Sequence, residues 1–386
     1  MGRLINIASL SDIHLGAPNI PSDVIPTNIR KVLFPVLDDE LDVLILVGDL
    51  TDGLLEFGSD TSRYVMGLID DLIDLALKHR FYIRILQGTF THDRLQSSMF
   101  KFKAHKLNQL NGSDIIKFID KIDIEHIESL GVTLLYKPDN IPYKDAWKRM
   151  AKLVDEVGYP IDFLINHGYF THLLPRGIRH EIANTLDVNI VNKVVRGGVL
   201  NGHVHTPSVN YNVINNGSFD RLNHGEEEAK GFFYLTYDTS TFDLVYTFIE
   251  NVYATKFCTV DLSGNDDVNS CKAIALDKVT EVVKTSQSTC PDMFIRIIHV
   301  DATIRAAVTA LLASKYHNLI ITGLKAKEED AISKSSVELF DDTETLPVIT
   351  TENIVSMIYA YAQDHKLTML TEEYIREKLN DQKHST

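Results

Sequence analysis

The sequence predicts an α/β protein, and three observations support this fold class. Short apolar runs typical of buried strands recur along the first 250 residues, and an amphipathic helix is predicted over 64–78 between two of them. Five of these runs lead directly into Asp or His, usually beside glycine. The chain has 386 residues, 44% of them hydrophobic, which is enough for a large core and for two or three domains.

Residues that can bind metal or transfer protons follow five of the predicted strands. In α/β folds, sites are built at strand ends, because rigid strands position side chains on short loops. We therefore expect these residues to meet in one place. The predicted strand 4–10 leads into Asp12 and His14, strand 41–47 into Asp49, strand 82–86 into His92 and Asp93, strand 161–165 into His167, and strand 198–200 into His203 and His205.

More strands are expected to complete this first domain, which is assigned to residues 1–250. One is predicted over 132–136. Three others are predicted to complete a second sheet, because the chain becomes rich in β-branched and aromatic residues after about Val209. These three strands are predicted over 211–214, 231–237 and 242–249.

The remaining residues are expected to form smaller units. Residues 251–325 are predicted to be a small α/β domain, and residues 326–348 a charged linker that is poor in large apolar side chains. Two helices are predicted within 349–386, where they either fold back on the body or dock on a partner. Within the small domain the helices are predicted over 272–283 and 302–316, and the strands over 293–300 and 319–322.

The composition limits how the protein can act. The chain has 38 Lys and Arg against 53 Asp and Glu, a formal charge of -15. An acidic protein does not hold a nucleic-acid backbone by its overall charge, so metal ions, a local basic patch or a partner must supply the attraction. No apolar run approaches the roughly 20 residues of a membrane span, and no secretory signal is apparent. Three cysteines without CxxC spacing are typical of reduced packing residues, and we expect a cytoplasmic protein.

Six of the strand-end residues offer oxygen and nitrogen ligands for divalent metal ions. Hydrolysis of a phosphate ester requires shielding of the phosphate charge and hydroxide near neutral pH, and two ions about 3.5–4 Å apart supply both. Asp49, at a Gly-Asp turn, is the natural bridge between two ions. Mixed carboxylate and imidazole ligands suit manganese, iron or zinc better than calcium or magnesium alone. The six residues are Asp12, His14, Asp49, His167, His203 and His205.

The order of these motifs resembles the calcineurin-like metallophosphoesterase family over roughly the first 250 residues. The motifs are Asp12-x-His14, Gly48-Asp49-x-x-Asp52, His92-Asp93, Asn166-His167 and Gly202-His203-x-His205. Gly-Asp-x-x-Asp is closer to the SbcD-type nuclease subunit of the SbcCD DNA repair complex than to the phosphatases, and a phage-encoded version stays open. The resemblance implies a four-layer α/β/β/α metallophosphoesterase sandwich, a small α/β capping domain and C-terminal helices.

The resemblance also implies an activity and partners. The activity is that of a DNA exonuclease or endonuclease in recombination, repair and replication, with in-line attack by a metal-bound hydroxide. Two divalent ions are expected as cofactors, with Mn²⁺ favoured and Mg²⁺, Fe²⁺ or Zn²⁺ as alternatives. The expected partners are DNA and an SMC-like, SbcC-type ATPase, with a homodimer of this chain inside a heterotetramer and no membrane contact.

Residue roles follow from the same resemblance. Asp12, His14 and His205 would bind the first ion, Asp49 would bridge, and His167 and His203 would hold the second. His92 would stabilise the transition state or protonate the leaving oxygen, with Asp93 orienting it. Asp52 would fix the loop rather than touch metal.

One segment departs from the family pattern. The family has Gly-Asn-His-Asp, in which the Asn oxygen binds the second ion, whereas this chain has two additional residues over 88–93 and Thr91 before the histidine. Thr91 is therefore expected as a weak neutral ligand, unless the longer loop brings another group within reach. We expect the second ion to be bound more weakly than the first.

Two other functions stay open at the level of sequence. One is a phosphatase or small-molecule phosphodiesterase on the same scaffold, which would not explain the trailing domain and helices. The other is a non-enzymatic scaffold with a degenerate site, suggested by the absent Asn. Retention of His92 and of the six ligands argues against the second alternative.

Overall fold

The computed structural model describes residues 2–94, 96–100, 103, 105, 107, 114–139, 143–158, 160–173 and 185–324. The chain divides into two compact units, Met1–Ala326 and Lys327–Thr386, and the second lies outside the described residues. The linker predicted over 326–348 and the helices predicted within 349–386 therefore lie outside them as well. Among the described residues, no helix has the length and apolar character needed to cross a membrane.

The described unit belongs to the α/β class, as predicted. Its helices are α1 (Val24–Val32), α2 (Asp60–His79), α3 (Phe90–Asp93), α4 (Tyr143–Val157), α5 (Val188–Val191), α6 (Val268–Thr285) and α7 (Ala302–Lys315). Its strands are β1 (Leu4–Leu10), β2 (Val43–Val47), β3 (Tyr82–Leu86), β4 (Ile116–Ile119), β5 (Asp123–Ile127), β6 (Val132–Lys137), β7 (Ile161–His167), β8 (Tyr169–Phe170), β9 (Thr185–Leu186), β10 (Val195–Gly202), β11 (Ser208–Asn210), β12 (Val213–Asn215), β13 (Gly231–Asp238), β14 (Leu244–Glu250), β15 (Lys256–Asp261), β16 (Met293–Ile298) and β17 (Leu319–Leu324).

Two six-stranded sheets contain most of these strands. The first has the order β14-β13-β1-β2-β3-β4, with β1 to β4 parallel and β13 antiparallel to β1. The second has the order β11-β12-β10-β7-β6-β5, with β12, β10, β7 and β6 parallel. Because parallel strands end at the same edge of a sheet, the loops after β1, β2 and β3 gather at one edge, and those after β7 and β10 gather at another.

Successive side chains along β1 point to opposite faces of the first sheet. Ile5 and Ile7 of β1 pack in a core shared with Phe163 and Ile165 of β7, so the two sheets face each other. Ala8, on the other face of β1, packs in the core that contains buried residues of α1 and α2. Outward-facing residues of the second sheet pack in the core that contains residues of α4 and α5.

The small α/β unit after residue 255 is a separate three-stranded parallel sheet, β15-β16-β17, with α6 and α7. Its own core is built from buried residues such as Ile295, Ala275 and Val308. The stacked rings of Phe257 and Phe294 belong instead to the core of the first six-stranded sheet. The small unit is therefore packed against the main body through aromatic side chains.

One expectation about the sheets is wrong. The strands predicted to complete the second sheet include β13 and β14, but both belong to the first sheet, where Ile5 of β1 pairs with Tyr237 of β13. Pairing partners are set by contacts between residues far apart in the chain, which local apolar patterns do not specify. Of that predicted group, β12 lies in the second sheet.

Candidate metal centre

The loops after β1 and β2 are hydrogen-bonded to each other and carry three predicted ligands. The amide of Asp12 donates to the carbonyl of Gly48 over 3.1 Å. The amides of Ile13 and His14 both donate to the carbonyl of Asp49, over 2.8 and 3.1 Å. Asp12, His14 and Asp49 all have left-handed backbones, with φ of 49°, 50° and 49°. Such conformations are uncommon outside glycine and are concentrated at functional sites.

The first group of candidate ligands is Asp12, His14 and His205. One ligand atom from each lies within 4.8 Å of the others. The Nε2 atom of His205 is 3.8 Å from Oδ1 of Asp12, and the rings of His14 and His205 are 5.1 Å apart at their centroids. The amide of His203 donates to both oxygens of Asp12, over 3.0 and 2.9 Å, which fixes the carboxylate against the loop after β10.

The second group is Asp49, His167 and His203, which satisfy the same 4.8 Å limit. The Nε2 atom of His167 is 3.2 Å from Oδ2 of Asp49. The hydroxyl of Thr89 lies among them, 3.2 Å from Oδ2 of Asp49, 3.4 Å from Nε2 of His167 and 3.3 Å from Nδ1 of His203. Thr89 therefore adds a neutral oxygen to the second group.

Asp49 lies between the two groups. Its Oδ2 atom is 3.2 Å from Nε2 of His167 in the second group and 4.0 Å from Nε2 of His14 in the first. Its Oδ1 atom accepts a hydrogen bond of 2.5 Å from the amide of Thr89, which fixes the carboxylate. A carboxylate oxygen that faces both groups suits the bridging position between two ions.

The ring of His167 is oriented by the main chain. Its Nδ1 atom is 2.7 Å from the carbonyl of Val47, so Nδ1 carries the proton and Nε2 is directed to Asp49. Gly48, with φ of 82°, leaves space for this ring, because a Cβ there would lie 2.3 Å from Nδ1 of His167. A side chain at position 48 would therefore displace a candidate ligand.

His14 presents a buried nitrogen that fits a metal ion. Its Nδ1 atom is 3.1 Å from Oδ1 of Asp52, whereas Nε2 has no hydrogen-bond partner among the described residues. Burying a nitrogen without a partner costs free energy, and coordination of an ion would remove that cost. The residues present thus fit one or more metal ions, with imidazole and carboxylate donors of the kind that bind manganese, iron and zinc.

Charges in the second group are strongly coupled. Burial lowers the pKa of His167, but the charge of Asp49 and the hydrogen bond to it outweigh burial and raise that pKa to about 10. Burial raises the pKa of Asp49, but the charge and hydrogen bond of His167, together with the charges of His14 and His92, outweigh it and hold the pKa well below its usual range. Burial, together with the charge of His167, lowers the pKa of His203 to about 3. Without metal, His167 and Asp49 therefore form an ion pair, and His203 is neutral.

Asp52, rather than Asp93, contacts His92. The Nδ1 atom of His92 is 2.8 Å from Oδ1 of Asp52, the oxygen that also faces His14. Burial raises the pKa of Asp52, but hydrogen bonds from His14 and His92 outweigh it and lower that pKa well below its usual range. His14, Asp52 and His92 are also close enough to hold an ion, but the two imidazoles already share one carboxylate oxygen.

The expectation that Asp93 orients His92 is corrected by its contacts. Asp93 is fully buried, and its Oδ1 atom accepts from the amides of Leu50 and Thr51 over 2.8 and 3.1 Å. Its Oδ2 atom accepts from the amide of Gly88 over 2.9 Å. Consecutive residues of a helical turn point in different directions, so Asp93 faces the loop after β2 while His92 faces the site.

Thr91, expected as a ligand of the second ion, lies on α3 with its side chain exposed. The threonine beside Asp49 is Thr89, which precedes the helical turn Phe90–Asp93. The threonine hydroxyl that lies beside the second group is thus that of Thr89 and not that of Thr91.

Three features of the site were missed from sequence: Thr89, the contact of Asp52 with His92, and Glu226. A signal for Thr89 was present, because it directly follows Gly88 just as Asp49 follows Gly48. Glu226, whose Oε1 atom is 2.9 Å from Nδ1 of His205, lies in a loop without the strand-end pattern and gave no such signal.

The site is closed on one side and open on the other. Asp12, His14, Asp49 and His167 are buried, whereas His92, His203 and His205 are partly exposed. The site is therefore accessible from the side of the partly exposed histidines, with the carboxylates behind them. Comparison with models of known protein families and with curated proteins finds no match to this chain.

Proposed function

We propose that this chain is a metal-dependent phosphodiester hydrolase of the calcineurin-like metallophosphoesterase type, acting on DNA as the nuclease subunit of an SbcCD-like complex. The observation that carries the proposal is the position of Asp49 between two groups of candidate ligands, with Oδ2 3.2 Å from His167 and 4.0 Å from His14. The packing of helices, sheet, sheet and helices is consistent with a four-layer α/β/β/α sandwich.

Each predicted ligand has a role in this proposal. Two divalent ions at the site would shield the phosphate charge and lower the pKa of water, which supplies the nucleophile near neutral pH. In the proposal, the first group holds one ion, the second group with Thr89 holds the other, and Asp49 bridges them. Both groups offer one carboxylate and two imidazoles, but in the second group a threonine hydroxyl takes the place of the Asn oxygen of the resembled family, so the second ion is expected to be held more weakly.

His92 is the proposed proton donor to the leaving oxygen. Its Nδ1 atom is hydrogen-bonded to Asp52, which leaves Nε2 as the atom directed away from that carboxylate. About a fifth of the His92 side chain is exposed, so a substrate can reach it. A positioned general acid of this kind typically contributes about 10²–10⁴ in rate.

The choice of DNA as substrate rests on the SbcD-like motif and on the chain after the catalytic domain. Residues 256–324 form an additional α/β unit packed against the main body, as expected for a capping domain. The formal charge of -15 fits a subunit whose ATPase partner contributes most of the DNA contact. We propose manganese as the activating ion and a homodimer within the complex.

The test compares labelled single- and double-stranded DNA with Mn²⁺ or Mg²⁺, using the wild type and His92→Ala. The proposal expects cleavage that requires the ion and falls by about 10²–10⁴ in His92→Ala. Cleavage by both proteins at the same rate would contradict the role of His92. Hydrolysis of a nucleotide or a phosphoprotein, with no action on DNA under Mn²⁺, would instead favour a phosphatase or small-molecule phosphodiesterase. A lack of hydrolysis of any phosphate ester would favour a degenerate scaffold.

A further inference from the structure

A buried carboxylate and a buried ammonium together hold His205. Oε1 of Glu226 is 2.9 Å from Nδ1 of His205, and Oε2 of Glu226 is 3.1 Å from Nζ of Lys230. Lys230 is fully buried and Glu226 is 2% exposed. Nζ of Lys230 also donates to the main-chain carbonyl of His205 over 3.0 Å. The pair therefore contacts both the ring and the backbone of this histidine.

The second oxygen of Glu226 has further donors that restrict its position. The hydroxyl of Ser218 and the amide of Leu222 donate to Oε2 over 3.2 and 3.4 Å. The amide of Ser218 donates to the carbonyl of His205 over 3.0 Å, and Ser218 pairs with Ser11 beside Asp12. The carboxylate is thus fixed by the same segment that joins His205 to the end of β1.

This contact determines which nitrogen of His205 faces the site. A carboxylate that accepts from Nδ1 keeps the proton there and leaves the lone pair on Nε2, which is the atom 3.8 Å from Asp12. It also makes the imidazole a stronger donor to a metal ion. Lys230 balances the carboxylate charge, so the pair orients the ring without adding net charge.

The corresponding histidine of the second group has a neutral partner. Nδ1 of His167 donates to a main-chain carbonyl, that of Val47, which no side-chain substitution removes. Substitution of Glu226 should therefore affect the first group and leave the second unchanged. This difference allows a positioning role to be separated from a general loss of folding.

We propose that Glu226 is a positioning residue for the first metal site, fixing the tautomer and strengthening the donation of His205, with Lys230 as its counter-ion. The inference rests on the proposed function, because it requires that His205 bind a metal ion. It adds to that function a residue that sets the affinity of one ion and not of the other.

The test is a calorimetric Mn²⁺ titration of the full chain, with the two sites assigned by a His203→Ala variant that lacks a second-group ligand. Glu226→Gln replaces one acceptor oxygen by an NH₂ group, so either His205 or Lys230 loses its acceptor. We expect first-site affinity to fall by about 10–100-fold, as for other partners of metal-binding histidines, and second-site affinity to stay within twofold. The matched control is Glu228→Gln, which removes the other carboxylate beside Lys230 (2.8 Å) and should leave both sites unchanged.

A double variant separates positioning from folding. Glu226→Gln leaves the buried Lys230 with Glu228 as its remaining carboxylate partner. Adding Lys230→Met removes this ammonium, so the double variant should regain thermal stability without regaining first-site affinity. Unchanged first-site affinity in Glu226→Gln would overturn the inference. It would also be overturned if Glu226→Gln lost Mn²⁺ affinity equally at both sites and the double variant regained that affinity together with its thermal stability. A wild-type chain that binds no Mn²⁺ would overturn the proposed function itself, and the inference with it.

Discussion

The carboxylate of Asp52 joins His92 to His14, with its Oδ1 atom 2.8 Å from Nδ1 of His92 and 3.1 Å from Nδ1 of His14. One oxygen therefore orients both the proposed proton donor and a candidate ligand of the first ion. His14 and His92 are also in edge contact, with centroids 4.6 Å apart. The proposed acid and the proposed first metal site thus share one orienting carboxylate.

The first prediction concerns Asp52 and Asp93. Asp52→Asn should lower turnover of bis-p-nitrophenyl phosphate by about 10–100-fold, because His92 and His14 lose their shared anionic partner. Asp93→Asn should act on stability instead, lowering the free energy of unfolding by about 1–3 kcal/mol, since an NH₂ group would replace an oxygen that accepts from backbone amides. Steady-state kinetics and urea unfolding measure the two effects.

The control for stability is Asp155→Asn, at an exposed position of α4, which should change neither quantity. A loss of turnover in Asp93→Asn at unchanged stability, with normal turnover in Asp52→Asn, would return the orienting role to Asp93.

The second prediction concerns the two threonines near His92. Thr89→Val should weaken binding of the second Mn²⁺, on the order of tenfold, because the hydroxyl 3.2 Å from Asp49 is lost at nearly constant volume. Thr91→Val removes a hydroxyl from the exposed side of the same turn and should leave both sites unchanged. Calorimetric titration distinguishes the two variants. If Thr91→Val were the variant that weakens the second site, the corrected position of the ligand would be refuted.

The third prediction is that metal binding releases protons. At pH 7.5 His167 is protonated, because its pKa is about 10, and its Nε2 must lose that proton to bind an ion. His203, with a pKa of about 3, is already neutral and releases none. Second-site affinity should therefore rise about tenfold per pH unit from pH 7 towards 10 and then level off. Titrations in PIPES and in Tris, two buffers that differ in ionisation enthalpy, count the protons that are released. A binding heat that is the same in both buffers would contradict this prediction.

The fourth prediction concerns stability at acid pH away from the metal centre. Burial and the charge of Arg296 lower the pKa of His224 to about 4, whereas the unfolded chain protonates near 6.5. As the pH is lowered, protons therefore bind His224 in the unfolded state before they bind it in the folded state. The free energy of unfolding should fall as the pH falls from about 6.5 to 4. His224→Phe should flatten this part of the stability curve, measured by thermal unfolding, while His317→Phe serves as the control.

Much of the site could be predicted from sequence because apolar strands leading into Asp or His are a local pattern. Strands β1 and β3 have the predicted bounds, and Asp12, Asp49 and His167 lie where their strands end. Chain order alone could not assign β13 to the first sheet, because its pairing with β1 joins residues more than 200 positions apart.

The errors within the site come from side-chain direction. Thr91 and Asp93 are neighbours of His92 in sequence, but in the turn Phe90–Asp93 Thr91 is exposed to solvent and Asp93 is buried. Glu226 reaches His205 from a loop 21 residues later, a contact that only the folded chain reveals. Residue types at strand ends were thus predictable, whereas the partners that orient them were not.

In the proposed function, Asp49 joins two metal sites that together hydrolyse phosphodiesters. The most direct measurement is the rate of bis-p-nitrophenyl phosphate hydrolysis by wild type and Asp49→Asn after EDTA treatment and stepwise return of Mn²⁺. We expect wild-type activity to be lost with EDTA and to recover with Mn²⁺, while Asp49→Asn, shown to be folded by circular dichroism, recovers less than about 1% of it. Hydrolysis that persists in EDTA, or equal recovery in Asp49→Asn, would contradict it.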